Sequence, residues 1–356
     1  MKPASRCNTS TANATGPTAP VSAPARAETP VAFVRAIVQA YQGRGISPAA
    51  LLEQAQIPPR LLRVATGRIT TLQFEQVSAM AMQELGDEAL GWFERPLPWG
   101  SYGLLVRASL TAPTLQLALK RWCRHHNLLT HSIQLQLSVQ GGVATLELQE
   151  LCDLGAMREF CIVSVLRNAL GVACWLSDSR IALEQTTLRY AAPPHQSSYR
   201  VLFDGPVRFE AEANRLQFDA GYLALPLRRD EAALQRMLQR ALLLLVRPYR
   251  RDRLLVERVR QTLAQYPQET RRAEDLAHRL NLSTRTLHRQ LRDEGSSLQQ
   301  LKDAVRRELA MAQLNRSQRP IKQIAELVGF KSEKSFIRAF KGWTGQTPDA
   351  YRAPQP

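Results

Sequence analysis

Apolar residues at Ile321, Ile324, Ala325 and Val328 follow the i, i+3, i+4, i+7 spacing that lines one face of a short α-helix. Gly329 ends that face, and after Phe330 and Lys331 the serine Ser332 is placed to cap a second helix. There Phe336, Phe340 and Trp343 fall on one side, and Lys334, Arg338 and Lys341 on the other. The pattern predicts two short helices joined by a tight turn, the second with a cationic outer face. It occurs once before. Ala273, Leu276, Ala277 and Leu280 precede their counterparts by 48 residues, whereas Leu287, Leu291, Arg285, Arg289 and Arg292 precede Phe336, Phe340, Lys334, Arg338 and Lys341 by 49. The second turn is therefore one residue longer.

A single basic helix face is as often a solvated surface as a binding one. Repetition of the cationic row opposite the apolar row, in register, favours a tandem pair of helix-turn-helix units. A helix on Leu255, Val259 and Leu263 precedes them, ended by Tyr266 and Pro267. Another, capped by Ser296 and Ser297 and bearing Leu298, Leu301, Val305, Leu309 and Ala312, joins them. At about 1.5 Å per residue the joining helix spans about 25 Å.

Upstream, Val31, Val34, Val38 and Tyr41 predict a helix, residues 47–48 start a short one carrying Leu51 and Leu52, and residues 71–85 form a longer one closed by Gly86. A Gly-, Pro- and Trp-rich loop over residues 91–103 leads to a helix at residues 114–126. Alternation then takes over: Ile133, Leu135, Leu137 and Val139, a turn at Gly141 and Gly142, then Ala144, Leu146 and Leu148, a hairpin. A helix over residues 154–175 follows, then strand-like pieces at 183–190, 207–210 and 215–218, and a last helix over 230–246 broken by the basic stretch 247–251. The order predicts an α+β domain followed by an all-α domain. Residues 1–29, rich in Ala, Thr, Ser and Pro, lack the large apolar side chains that offset the entropy of ordering and read as a disordered tail. The expected boundaries are 1–29 tail, 30–249 sensor or dimerisation domain, and 250–356 helix-turn-helix domain.

Net charge is +16 over 356 residues. From residue 250 onward 22 Lys and Arg face 12 Asp and Glu, against 25 and 19 before it, so the positive surplus is concentrated at the C-terminal end and points to a polyanionic partner. Five cysteines (Cys7, Cys123, Cys152, Cys161, Cys174) without a CxxC pair argue against a disulfide framework or a zinc ribbon. Cys123, His125, His126 and His131 are dense, but most lie on or beside one amphipathic helix with no ligand-spaced acid, which favours packing over a metal site. The aliphatic run 241–246 is far short of the roughly 20 residues of a membrane span, and the first thirty residues lack a signal-peptide core. No nucleophile elbow, HExxH, Walker A or GxGxxG stretch is present, so the reading is neither an enzyme nor a cofactor-dependent protein.

The segment GFKSEKSFIRAFKGWTGQTPDAYR, with the repeat before it, resembles the AraC/XylS family of bacterial transcription regulators. GSYGLLVRASLTAPTLQLALKRW and YRVLFDGPVRFEAEANRLQFDAGYLALPLRRDE are similar to the "arabinose-binding" type of N-terminal sensor found in one branch of it. The resemblance implies a cytoplasmic regulator that binds promoter or operator double-stranded DNA and works with RNA polymerase. Its sensor would take a small-molecule effector or mediate homodimer formation, with no membrane attachment. It further implies base contacts by Arg285, His288 and Arg289 in the first recognition helix and by Glu333, Lys334 and Arg338 in the second. Phosphate contacts are expected at Arg292, Lys331 and Lys341. Lys331, Ser332, Glu333 and Arg285 depart from the usual family residues, so base preference does not carry over. The alternative is a small-molecule-binding or scaffolding protein whose basic end clings to polyanions without reading sequence.

Overall fold

The computed structural model describes residues 27–239 and 252–352. Its first strand, β1 (Ala27–Pro30), pairs antiparallel with β2 (Arg68–Thr70) and brackets α1 (Val31–Gln42) and α2 (Ala49–Gln54). Residues 27–29, expected in the tail, thus belong to the folded domain. Backbone pairing with β2 and burial of Thr29 supply what composition alone did not. The expected tail 1–26 and the linker 247–251 lie outside the described residues. Helix α3 (Thr71–Leu85) starts on a reciprocal cap, Thr70 Oγ1 accepting from Gln73 N (3.2 Å) while Gln73 Oε1 accepts from Thr70 N (3.0 Å), and Gly86 at φ 59° ends it.

Helix α4 (Ser101–Leu110) begins inside the stretch expected to be loop. Its glycines concealed it: a Cβ on Gly103 would sit 3.3 Å from Leu238, so the glycine lets a later helix approach rather than breaking this one. Then come α5 (Leu115–Leu129), the hairpin β3 (Ile133–Gln140) and β4 (Val143–Glu150), and α6 (Arg158–Ser177). Gly141 and Gly142, at φ 60° and 84°, make the turn, and Leu135 faces Leu148 while Leu137 faces Leu146. After β5 (Leu183–Thr187), the short α7 (Tyr199–Phe203), β6 (Val207–Arg208) and β7 (Asn214–Asp219), helix α8 (Glu231–Leu238) packs on α4. The sheet order is β3-β4-β7-β5-β6, antiparallel except for β5 with β6.

Ile133, Leu135, Ala144, Leu146, Leu148, Leu216 and Phe218 bury one sheet face beneath the helices. Helix α6 lies inside this core. With its preceding turn it is long and apolar enough to cross a bilayer, contrary to the expectation that no stretch is, yet 83% of its most apolar window is buried in the protein. It is a core helix. Cys123 and His126 of α5 also face the core, where burial pushes the thiol up to about 12 and the imidazole down to about 4; His131 is exposed.

The C-terminal region is all helical: α9 (Leu254–Gln265), α10 (Ala273–Arg279), α11 (Thr284–Asp293), α12 (Leu298–Arg316), α13 (Ile321–Leu327), α14 (Glu333–Thr344) and α15 (Pro348–Arg352). Two small cores lie along α12, one around Leu276, Leu287, Leu291 and Val305, the other around Ile324, Val328, Phe336 and Phe340, with Leu309 touching both. The architecture is α+β followed by all-α, as the periodicities indicate.

Candidate nucleic-acid interface

Both predicted repeats form helix-turn-helix units, and their turns are built alike. Asn281 and Gly329 each take positive φ, 54° and 87°. The next residue then bonds back across the helix end, Leu282 N donating to Ala277 O and Phe330 N to Ala325 O, both at 2.9 Å. From there the first turn passes directly to its cap, Ser283, whereas the second inserts Lys331 before Ser332. Ser283 Oγ accepts from Thr286 N (3.1 Å) and Ser332 Oγ from Ser335 N (3.3 Å), satisfying orphan donors at the two recognition-helix starts.

Leu287 and Leu291 are fully buried under α11, and Phe336 and Phe340 under α14, which turns the opposite faces outward. On α11, Arg285, His288, Arg289 and Arg292 occupy i, i+3, i+4 and i+7 and all are exposed. On α14, Lys334, Arg338 and Lys341 form the matching exposed row, with Glu333 at the helix start and Lys331 in the turn before it. Glu333, Lys334, Ile337, Arg338 and Lys341 line one shallow concavity.

Among the described residues these eight cations and histidines have no hydrogen-bonding or ion-pair partner, while many other basic side chains of the region do. Arg260 pairs with Glu308 (2.9 Å) and Arg279 with Glu269. Arg306 donates to Gly329 O (3.2 Å) and stacks on Phe330, and Lys302, nearly buried, donates to Arg271 O (2.7 Å). The helix-turn-helix region thus has two kinds of cation: structural ones tied to carboxylates and carbonyls, and recognition-helix ones left to solvent. The sequence pattern located the second kind; only packing identifies the first.

One residue that periodicity could not flag is Glu294, the C-cap of α11. Its Oε2 accepts from Val256 N (2.9 Å) at the start of α9, and burial pushes its carboxyl up to about 7. Nearby, α9 meets the N-terminal domain. Asp178, which ends α6 in left-handed conformation, holds Arg253 (2.7 Å) and Arg229 (2.6 Å). Tyr222 donates to Asp252 (2.5 Å), Ser179 Oγ accepts from Arg253 N (2.9 Å), and Arg258 pairs with Asp219.

Residues 45–227 match the family described as the arabinose-binding domain of AraC transcription regulators, N-terminal, and residues 276–354 match a helix-turn-helix domain. The chain is 30% identical over 324 residues to the ornithine utilization regulator of Pseudomonas aeruginosa, covering 91% of this chain and 96% of that protein. The transcriptional regulator CdpR from Pseudomonas aeruginosa, at 20% identity and a TM-score of 0.33, covers 90% of this chain and 98% of its own. The DNA-binding domain of AdpA, a global transcriptional factor solved in complex with a target DNA, is 31% identical with a TM-score of 0.25, over 28% of this chain and 88% of that one. With an arabinose-binding-type domain ahead of two helix-turn-helix units and this relationship along nearly its whole length, the chain belongs to the AraC family of DNA-binding transcription regulators and is not an enzyme.

Proposed function

We propose that α11 and α14 enter successive major grooves of an operator, with Arg285, His288, Arg289, Glu333, Lys334 and Arg338 at base edges and Arg292, Lys331 and Lys341 on phosphates. The observation that carries this reading is the pair of unpartnered cationic rows at matching helix positions, opposite fully buried rows. A major groove admits an α-helix, and arginine paired with guanine O6 and N7 is its commonest specific contact. Helix α12, at 19 residues and about 28 Å, separates the two units by nearly the roughly 34 Å between grooves on one face of DNA. Modest bending of the DNA closes the remainder.

In this reading residues 250–356 form the DNA-binding domain, and the N-terminal domain, which begins with the strand at residue 27 rather than at residue 30, is a sensor that takes a small-molecule effector, self-associates, or both. The protein acts in the cytoplasm and communicates with RNA polymerase. A relative named for ornithine utilization supports a metabolite-responsive sensor. Operators obtained by in vitro selection test the assignment. Arg289→Ala and Arg338→Ala should each lose about 1–3 kcal/mol and relax base preference at two positions roughly one helical turn apart. Arg292→Ala should weaken all sequences equally and lower the salt slope by about one unit. Unchanged base preference in both of the first two variants removes direct readout by these residues; loss in one alone leaves a single reading helix.

A further inference from the structure

Helix α6 is apolar along almost its whole length, but Ser164, Arg167 and Asn168 interrupt it at i, i+3 and i+4, a polar stripe in the middle of a core helix. A charged side chain in such a position is expensive unless it serves an interaction. The stripe does not face the sheet. It lines a cavity of about 60 Å³ between α6, α3 and the start of α1. The rest of the wall is largely apolar and includes four rings: Phe33 stacks on Phe160 (5.3 Å between ring centres), Trp92 meets Phe160 edge-on (5.2 Å), and Phe74 lies beside them.

Two further polar atoms in this wall are buried without a hydrogen-bond partner among the described residues, Ser78 Oγ and Trp92 Nε1, in side chains 1% and 5% exposed. Buried polar groups normally find partners, so the two orphan atoms give this wall hydrogen-bonding capacity for a polar guest. No acidic side chain lines it. Arg167 is itself engaged within the protein, and a guanidinium offers five donors in a fork that matches a carboxylate. Burial lowers its pKa to about 10, which leaves it cationic at neutral pH and strengthens its preference for an anion.

We propose that this cavity binds a small monocarboxylate, its carboxylate on Arg167 and its apolar body against the rings of Phe33, Trp92 and Phe160. At about 10–15 Å³ per enclosed water molecule, the volume suits on the order of four to six non-hydrogen atoms. The site deepens the effector-responsive reading above and rests on it for its consequence. Helix α6 runs on from Arg167 to Asp178, about 16 Å at the helical rise, and Asp178 is the residue that holds Arg253 at the start of the DNA-binding region. A ligand that shifts α6 therefore acts on the ion pair joining the two parts.

Calorimetric titration of the full chain with butyrate, butyramide and butylamine tests the site. Saturable butyrate binding is expected, about tenfold or more tighter than butyramide, with none for butylamine. Arg167→Gln should weaken butyrate about tenfold and leave butyramide unchanged. Should that variant not fold, Ser164→Met, which fills the cavity while keeping the charge, should block both. No saturable binding of any two- to six-carbon carboxylate at millimolar concentration overturns the proposal, as does butyrate binding that both variants leave intact. Operator affinity measured with and without butyrate separates the two readings. Binding without any change in DNA affinity upholds the cavity site and removes the effector role. A different metabolite that shifts DNA affinity equally in wild type and Arg167→Gln, with no saturable butyrate binding, upholds the effector role and removes the cavity site.

Discussion

The two helix-turn-helix units repeat one backbone plan in different materials. The first has an aliphatic core of leucines and valines, turns on Asn281, and is held to α9 by Glu294, which places it one contact away from the N-terminal domain. The second is rich in rings, with Trp343, Phe330, Phe336, Phe340 and Tyr351 linked in a chain of ring contacts. It turns on Gly329, and no hydrogen bond or ion pair among the described residues joins it to residues 27–239. The difference teaches that the repeat keeps the cationic outer face while the supporting faces differ. One unit is tied through α9 to the N-terminal domain, and among the described residues the other bonds within its own region.

The comparison breaks most visibly in the cores. Phe340→Ala should cost about 3–5 kcal/mol and Leu291→Ala about 2–5. Because the two cores are separate clusters that share Leu309 on α12, hydrogen exchange should report lost protection over α13 to α15 in the first variant and over α9 to α11 in the second. Uniform loss in both would make the two units a single cooperative body. A smaller contrast lies in the turns. Gly329 combines φ 87° with a Cβ position 2.4 Å from Pro267 O, so Gly329→Ala should cost at least about 2 kcal/mol in denaturant unfolding. Asn281→Gly, at a position open to that conformation, should change stability by less than about 0.5 kcal/mol. Equal effects would mean that the turns are held by the same constraints.

A further loss, smaller than those from the core and Gly329 substitutions, sharpens the contrast by pH. Glu294 has its folded pKa raised to about 7 by burial, above the ordinary carboxylate value, so the folded state holds the proton more tightly. Stability from this group is full below about pH 4.5 and is lost as pH rises through 7. Allowing for partial solvation, the loss is about 1 kcal/mol. Glu294→Gln keeps an oxygen for Val256 N and should flatten that dependence in unfolding measured from pH 5 to 8. The wild-type slope surviving in the variant would assign it to another group.

Much of the interface was legible before folding because it rests on local rules. The 48-residue offset, its change to 49 and the serine caps follow from side-chain periodicity and from donors left free at helix starts, and the inserted Lys331 appears as the register shift itself. The sheet hairpin was equally visible, since strict alternation around two glycines allows few other structures. Helix α4 was not, because Gly103 reads as a breaker until Leu238 is brought against it from 135 residues away. Strand β1 was missed for a related reason: its partner β2 lies beyond two intervening helices.

The sequence by itself determined the helices of the two helix-turn-helix units, their apolar faces and the residues that form the two cationic rows. These depend on neighbours within one or two turns. Tertiary structure alone decided which cations are tied up and which stay free, that Asp178 grips Arg253, that Glu294 caps α9, and that the stripe of Ser164, Arg167 and Asn168 opens onto a cavity. Each of those is a pairing between distant segments, and polar groups acquire their burial, partners and charge state only when such segments meet.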